Sequence, residues 1–273
     1  MRLAVIVLNR NLPEVTDTLC KNLISGGLKP ESLFVIEAGS DDGKISQFCT
    51  WHIRDEETKK NGLRYNRGMN QALINLYQER RWENFDGFLF LTNDTEFTSD
   101  SPISKLENIF DYHEDIGILV PCSQRWGEKH YIPPESEKYF WNISSSAIAV
   151  RKNFVEEICN KSDLSCLNFF FDGNNFRGYL TDMELVAKAY INGWAVAITS
   201  RVFAEENDTY LLNIADIIKT ESYDLNLELY IEEGLDWSRK KYGFQSKWDF
   251  VRYTKLYYDE FFKLNPRLTK FKI

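Results

Sequence analysis

The sequence lacks paired cysteines, long apolar runs and glycine-rich phosphate loops. Its five cysteines form no CxxC pair and are odd in number, which favours reduced thiols in a cytoplasmic protein over a disulfide framework. The apolar run at residues 3–8 is shorter than a signal-peptide core, and no run approaches the length of a membrane span, so we expect neither. Since GxxxxGK[ST] and GxGxxG are both missing, any bound nucleotide needs another partner for its phosphates.

The charge is negative and unevenly distributed. The formal net charge is −8 and the pI is about 5.1, which disfavours a nucleic-acid partner because such proteins present a basic surface. Residues 237–273 hold 10 Lys and Arg against 3 Asp and Glu, or +7, so the remainder carries −15. The hydrophobic content of 43% is enough for a packed core.

Short apolar runs alternate with helical patterns along the first half of the chain. The runs at 3–8, 32–37, 87–92 and 116–121 are typical of strands buried on both faces of a largely parallel sheet. The pattern predicts a doubly wound α/β fold, with a further strand at 139–150. We divide the chain into residues 1–210, with halves 1–121 and 122–210, and a C-terminal helical extension at 211–273.

Each apolar run of the first half ends in polar residues. These tips are residues 9–11, 37–42 and 93–96. Because the carboxyl ends of parallel strands share one edge of a sheet, the tips are expected to lie together where ligands bind. Asp94 could hold a divalent cation there, since such cations prefer carboxylate oxygens.

The order of these segments resembles the family 2 inverting glycosyltransferases of the GT-A fold. The matching segments cover roughly residues 1–205 and are "VIVLNRN", "VIEAGSDDG", "GLRYNRGMNQAL", "FLFLTNDTEF" and "FFFDGNNFRGYLTDMELVAKAYINGWAV". The resemblance implies a mostly parallel central sheet flanked by helices. It also implies transfer of a sugar from a nucleotide diphosphate donor, of the UDP or dTDP type, to a hydroxyl of a glycan, polysaccharide or lipid-linked glycan acceptor.

The resemblance also implies roles for individual residues. Asp94 would coordinate Mn²⁺ or Mg²⁺ at the donor diphosphate. Asp182 would take the proton of the acceptor hydroxyl, a role that burial would favour by raising its basicity. The residues implied to bind the nucleotide sugar are Leu8, Asn9, Arg10, Glu37, Ser40, Asp42, Arg67 and Asn93.

The sequence departs from the family pattern at three places. Thr92 replaces the first Asp of the DxD motif, and Thr181 replaces the first acid of the Glu-Asp pair. The family's His after the next strand is missing, and Glu205, Glu206 or Asn207 stands near its place. A degenerate protein that binds sugar nucleotide or glycan without turnover is therefore the alternative. A nucleotidyltransferase is less favoured, because its Gly-rich phosphate loop is absent.

Structural roles compete with the functional ones. Asp94 could form a strand-end turn, and Asp182 could cap the helix that follows it. Glu37 and Asp42 could be solvated turn residues beside their glycines.

The basic, aromatic C-terminal helix has two interpretations. Ser246 is its expected cap, and Trp248, Val251, Leu256, Phe261 and Phe262 are its apolar members. This face could pack on the domain or on a second subunit. Alternatively, the helix could dock peripherally on an anionic membrane that carries the acceptor.

Overall fold

The computed structural model describes residues 1–125, 127–143, 146–207 and 215–273. Its strands are β1 (Leu3–Asn9), β2 (Leu33–Ala38), β3 (Cys49–Ile53), β4 (Gly87–Thr92), β5 (Thr95–Phe97), β6 (Ile116–Cys122), β7 (Glu137–Tyr139), β8 (Ala147–Arg151) and β9 (Ala195–Glu206). Its helices are α1 (Pro13–Ser25), α2 (Glu56–Asn61), α3 (Arg64–Gln78), α4 (Pro102–Tyr112), α5 (Lys152–Ile158), α6 (Thr181–Ile191), α7 (Tyr223–Tyr242) and α8 (Lys247–Leu264).

The strands form one mixed sheet in the order β3-β2-β1-β4-β8-β6-β9-β5, with β7 also paired to β9. Parallel pairs join β3, β2, β1 and β4, and another parallel pair joins β6 to β9. Strand β8 runs antiparallel between β4 and β6, so β6 has the same direction as β4. The sheet is therefore mostly parallel, and β1, β2 and β4 end at the same edge.

The four apolar runs form buried strands, as the sequence predicts. Strands β2 and β6 are buried along their whole length, and β1 and β4 are buried except for one residue each. Helices on both faces of the sheet cover them, which is why these runs show no alternation of polar residues.

The prediction of one strand at 139–150 is wrong. Strand β7 ends at Tyr139 and pairs with β9, whereas β8 begins at Ala147 and lies between β4 and β6. The two strands occupy different places in the sheet, and a continuous apolar pattern cannot reveal this difference because pairing partners are remote in sequence.

A serine precedes both α8 and α4, but only the serine before α8 caps its helix. Ser246 makes a full capping box with Asp249 at the start of α8, as predicted. Ser101 precedes Pro102 at the start of α4, but its side chain makes no cap hydrogen bond and its backbone is left-handed, with φ of 49°. Pro102 begins α4 by its fixed φ alone.

Helix α8 packs on the sheet domain and shares its core. Tyr258, Phe261 and Phe262 of α8 belong to the main hydrophobic core, and the Tyr258 hydroxyl donates to the carbonyl of Ile273 at 2.8 Å. The expected apolar face is partly wrong, because Trp248 is 61% exposed and Leu256 is 55% exposed. The predicted boundary at 210/211 lies outside the described residues.

Among the described residues, no helix combines the length and the apolar character that crossing a bilayer requires.

Candidate functional site

A buried carboxylate, Glu37, ties together the ends of β1 and β2. Both of its oxygens accept from the Asn9 side-chain amide, at 3.0 and 2.8 Å. The Ser40 hydroxyl donates to it at 2.5 Å and the Ser46 backbone N–H donates at 2.8 Å. A carboxylate offers about four acceptor positions, so these donors saturate it. Glu37 therefore positions its neighbours and does not present a free group to a ligand.

The same network reaches the end of β4. The Asn9 side-chain oxygen accepts from Asn93 Nδ2 at 3.1 Å, and Asn93 also donates to Thr16 Oγ1 at 3.3 Å. Three of the predicted tips are thus joined through the side chains of Glu37, Asn9 and Asn93. The expectation that the tips converge at one edge is met by this chain of hydrogen bonds.

The acidic pair after β2 faces two directions. The Asp42 side chain is 87% exposed and pairs only loosely with Arg54, at 3.8 Å. Asp41 instead faces the C-terminal extension, where it pairs with Lys219 and accepts from Asn11 Nδ2 at 3.4 Å. The hydrogen bond from Lys219 holds the pKa of Asp41 below its usual value. The acid that faces the sheet edge is therefore Asp41, beside the predicted Asp42.

Gly39 allows this turn to pass close to α2. Its φ is +79°, and a Cβ there would lie 2.1 Å from the carbonyl oxygen of Thr58. We expect Gly39→Ala to lower the free energy of unfolding by about 3 kcal/mol, because it adds left-handed strain to a backbone clash. Urea denaturation measures this loss. Gly43→Ala is the matched control, since nothing lies within 4 Å of its Cβ position; equal losses in both variants would contradict the assignment.

A cavity of about 350 Å³ opens at the carboxyl ends of β1 and β4. Four of the predicted residues lie on its wall: Leu8, Arg10, Asn93 and Asp94. The wall also includes residues that the sequence did not suggest, namely Arg64, Tyr65, Arg177, Thr220, Asn226 and Tyr230. The volume falls within the usual range for small-molecule sites.

The predicted Arg67 does not line this cavity. Its Nε donates to the carbonyl of Gly173 at 2.8 Å, and its Nη1 pairs with Glu57 at 3.2 Å. The arginine of α3 that does line the cavity is Arg64, one turn earlier. Arg67 therefore joins α3 to the loop before α6.

Three guanidinium groups from distant parts of the chain meet at the cavity. Arg10 donates to the carbonyls of Lys59 and Lys60 at the end of α2, at 3.1 and 3.0 Å. Arg64 and Arg177 share the carboxylate of Glu221, at 3.2 and 2.6 Å. Burial, followed by the neighbouring guanidinium charges, lowers the pKa of Arg10 and of Arg64.

The described side chains around Asp94 do not form a complete set of protein ligands for a divalent cation. Within the described ranges, no three His, Cys, Asp or Glu side chains are grouped so that they could hold a metal. Glu205, one of the residues near the missing His, accepts instead from the Ser123 hydroxyl at 2.9 Å. Thr92, at the first acid position of the DxD motif, bonds the hydroxyl of Thr95 at 3.0 Å. The implied metal therefore remains a prediction, with Asp94 as the residue that would hold it.

Asp182 lies in the first turn of α6 beside two tyrosines. Burial raises the pKa of its carboxyl to about 6, although backbone N–H groups of Met183 and of Asp182 itself oppose the shift. After burial, the Asp182 charge is the next cause of the raised pKa values of Tyr179 and Tyr230. The Tyr179 and Tyr230 rings lie 5.0 Å apart, and Tyr230 lines the cavity. This raised pKa would suit a base, but Asp182 itself is not among the residues that line the cavity, and its catalytic role stays a prediction.

Asn66 provides a hydrogen-bond partner for Thr181, which stands where the family has an acid. Asn66 Nδ2 donates to Thr181 Oγ1 at 2.9 Å and to the carbonyls of Asp172 and Asn175, both at 3.0 Å. Gly68 lies two residues after Asn66 on α3. Because it has no side chain, α3 can approach Leu8 closely. These contacts fix the start of α6, and with it Asp182, relative to the end of β1.

A second cleft of about 530 Å³ lies on the other side of Asn93 and Asp94, between α1 and β5. The charged residues on its wall are Asp94, Glu96 and Asp100. Because all the charged residues on its wall are acidic, this cleft does not suit an anionic ligand. The smaller cavity is therefore the better site for a phosphate compound.

Comparisons with known proteins agree on the fold. Neither a scan of protein-family models nor a search of curated proteins finds a match. Among solved structures, GalNAc-T7 with UDP, GalNAc and Mn²⁺ is similar at a TM-score of 0.52 and 11% identity, over 98% of this chain and 58% of that one. The described elements therefore have the GT-A glycosyltransferase fold, and the predicted fold class is confirmed.

Two other solved structures match with lower TM-scores. S. aureus TarS 1-349 in complex with UDP-GlcNAc has a TM-score of 0.49 and 16% identity, over 88% of this chain and 74% of that one. The Pyrobaculum calidifontis mannosyltransferase PcManGT with GDP-Man and Mn²⁺ has a TM-score of 0.47 and 11% identity, over 73% of this chain and 56% of that one. Both TM-scores are below 0.5 and carry no argument. This chain therefore spans little more than half the length of PcManGT and of GalNAc-T7.

Proposed function

We propose that this protein is a family 2 inverting glycosyltransferase that moves a sugar from a nucleoside diphosphate sugar, of the UDP or dTDP type, to a hydroxyl of a glycan acceptor. One observation carries the proposal: a cavity of about 350 Å³ lies at the shared carboxyl edge of β1 and β4 and contains Leu8, Arg10, Asn93 and Asp94. In an open α/β sheet, ligands bind at this edge.

The chain's own residues supply a direct displacement. The acceptor oxygen forms the new bond to the anomeric carbon while the bond from that carbon to the diphosphate oxygen breaks. Asp182 takes the acceptor proton, which a carboxylate with a pKa of about 6 can do at neutral pH. The nucleoside diphosphate leaves with the electron pair. A single displacement of this kind inverts the anomeric configuration.

The finer parts of the proposal concern the partners. The acceptor is proposed to be a growing polysaccharide or a lipid-linked glycan. The exposed Trp248 and Leu256 of α8 leave room for contact with an anionic membrane or with a second subunit, as the sequence suggested. Both contacts remain predictions.

A second candidate is a protein that binds sugar nucleotide or glycan without turnover. Thr181 favours it, because its hydroxyl is taken up by Asn66 and Asn175 and no acid stands in its place. Nucleotide binding without any release of free sugar or nucleoside diphosphate would select this candidate.

A thermal-shift screen tests donor binding. We expect one of UDP, dTDP and GDP to raise the melting temperature by several degrees, because a ligand at 100 times its Kd stabilises the native state by about 2.7 kcal/mol. Each nucleotide is tested with Mn²⁺ and with EDTA. No shift under any condition would contradict donor binding.

The same screen tests the metal. A shift that requires Mn²⁺ and disappears in Asp94→Ala would assign a cation to Asp94. Asp100→Ala is the control, because Asp100 is exposed and lies on the second cleft only. A shift that persists in EDTA would show that the nucleotide does not need the cation.

A further inference from the structure

The wall of the cavity is rich in hydrogen-bond donors that have no acceptor. Among the described residues, five buried side-chain nitrogen or oxygen atoms have no hydrogen-bond partner. Three of them belong to residues on this wall: Arg10 Nε, Arg64 Nε and the Tyr65 hydroxyl. Buried donors are nearly always satisfied in native proteins. Three unsatisfied donors in residues of one cavity wall therefore mark it as a candidate site for a ligand rich in hydrogen-bond acceptors.

The guanidinium groups give that ligand its charge. Arg64 and Arg177 are close enough for the charge of Arg177 to lower the pKa of Arg64. Two such cations in a partly buried cavity need an anion between them, and guanidinium groups match the geometry of carboxylate and phosphate oxygens alike.

In the structure, Glu221 is the anion between the two arginines. One carboxylate oxygen accepts from Arg64 Nη2 at 3.2 Å and the other from Arg177 Nη2 at 2.6 Å. Glu221 precedes α7 in a segment, residues 215–222, that crosses the sheet edge, where the carbonyl of Ile217 accepts from Asn11 Nδ2 at 2.7 Å. Glu233 also pairs with Arg177 and would hold that arginine in place if Glu221 left.

We propose that Arg64 and Arg177, with Arg10, bind the diphosphate of the donor directly, and that Glu221 occupies this anion site until the diphosphate displaces it. The inference rests on the proposed function for the identity of the ligand. It accounts for two features together: the sequence has no glycine-rich phosphate loop, and the described residues contain no group of three His, Cys, Asp or Glu that could hold a metal. Three arginines supply the positive charge that a metal would otherwise bring to the phosphates.

Calorimetric titration with inorganic pyrophosphate in EDTA tests the anion site. We expect wild type to bind, Glu221→Gln to bind about 10-fold more tightly, and Arg64→Gln to bind at least 10-fold more weakly, because charge-assisted hydrogen bonds differ by this order. Glu232→Gln, which neutralises an exposed acid on the following helix α7, is the control and should match wild type. Binding that requires Mn²⁺, or a Glu221→Gln variant that binds no more tightly than wild type, would overturn the proposal.

Hydrogen exchange on the wild-type protein provides a test that needs no variant. If pyrophosphate displaces Glu221, amides of residues 215–222 should exchange faster when it is bound. Unchanged or slower exchange in that segment would overturn the displacement.

The two proposals fail in different ways. Pyrophosphate binding as described, with no turnover of any nucleotide sugar, would leave the anion site standing and remove the transferase. Turnover that depends strictly on Mn²⁺, with Glu221→Gln indistinguishable from wild type, would leave the transferase standing and remove the arginine site.

Discussion

Asp182→Asn is expected to abolish sugar transfer while making the folded protein more stable at neutral pH. Loss of a general base costs about 10²- to 10⁴-fold in rate, and Asn cannot take a proton. Burial raises the pKa of Asp182 to about 6 from an ordinary value of 3.8, so the fold bears the cost of ionising it at pH 7. Removing that charge returns up to about 3 kcal/mol.

The pH dependence has a definite sign. Because the folded pKa lies above the unfolded one, the destabilising effect of Asp182 is fully present above pH 6 and disappears as the pH falls toward 3.8. The stability gain of Asp182→Asn should shrink over the same range. The wild-type rate should rise with pH through about 6 and then level, since the base must be ionised.

Urea denaturation and initial rates between pH 4 and 8 measure both effects. Asp224→Asn is the matched control, because Asp224 is also in the first turn of a helix but is exposed. It should change neither rate nor stability appreciably. A variant at Asp182 that keeps the wild-type rate would show that another group takes the proton.

Lys241→Met is expected to lower the free energy of unfolding by about 2 kcal/mol. Lys241 Nζ lies 2.6 Å from Asp172 Oδ2 and 2.7 Å from Glu184 Oε1, and the Glu184 side chain is only 4% exposed. The Lys241 side chain is 36% exposed, so the loss is smaller than for a fully buried pair, but Asp172 and Glu184 each lose a charge-assisted hydrogen bond. This contact joins α7 to the start of α6, so the loss also loosens the cavity wall.

The control and the pH response separate this effect from a general loss of charge. Lys240→Met removes a cation that is 76% exposed and pairs with Asp236 on the surface, which is worth less than about 1 kcal/mol. Burial would raise the pKa of Asp172, but hydrogen bonds from Lys241 and Trp237 outweigh it and lower that pKa. The stability that Asp172 contributes is therefore lost in acid, and the two proteins should converge as the pH falls. Equal losses in both Met variants would show that Lys241 contributes no more than a surface ion pair.

Local patterns predict the sheet edge well. The runs that became β1, β2 and β4 are continuous and apolar because helices cover both faces, and their polar tips meet because parallel strands end together. Asn9, Glu37 and Asn93 were therefore predicted to converge, and they do. The pattern could not show that Glu37 would be saturated by neighbouring donors.

Residues that reach the site from remote parts of the chain were not predictable. Arg64 meets Glu221 across 157 positions, and Arg177 meets it across 44. Such pairs depend on how the C-terminal extension folds back, which no local periodicity encodes. A surplus of arginines near "GLRYNRG" and "NFRGY" was the available signal.

The most direct test of the account is a crystal structure of the protein with the nucleoside diphosphate that gives the largest thermal shift. The account predicts the nucleotide in the cavity at the ends of β1 and β4, with its diphosphate within hydrogen-bonding distance of Arg64 and Arg177 and with Glu221 displaced. A nucleotide in the acidic cleft between α1 and β5, or one whose diphosphate avoids both arginines, would contradict it.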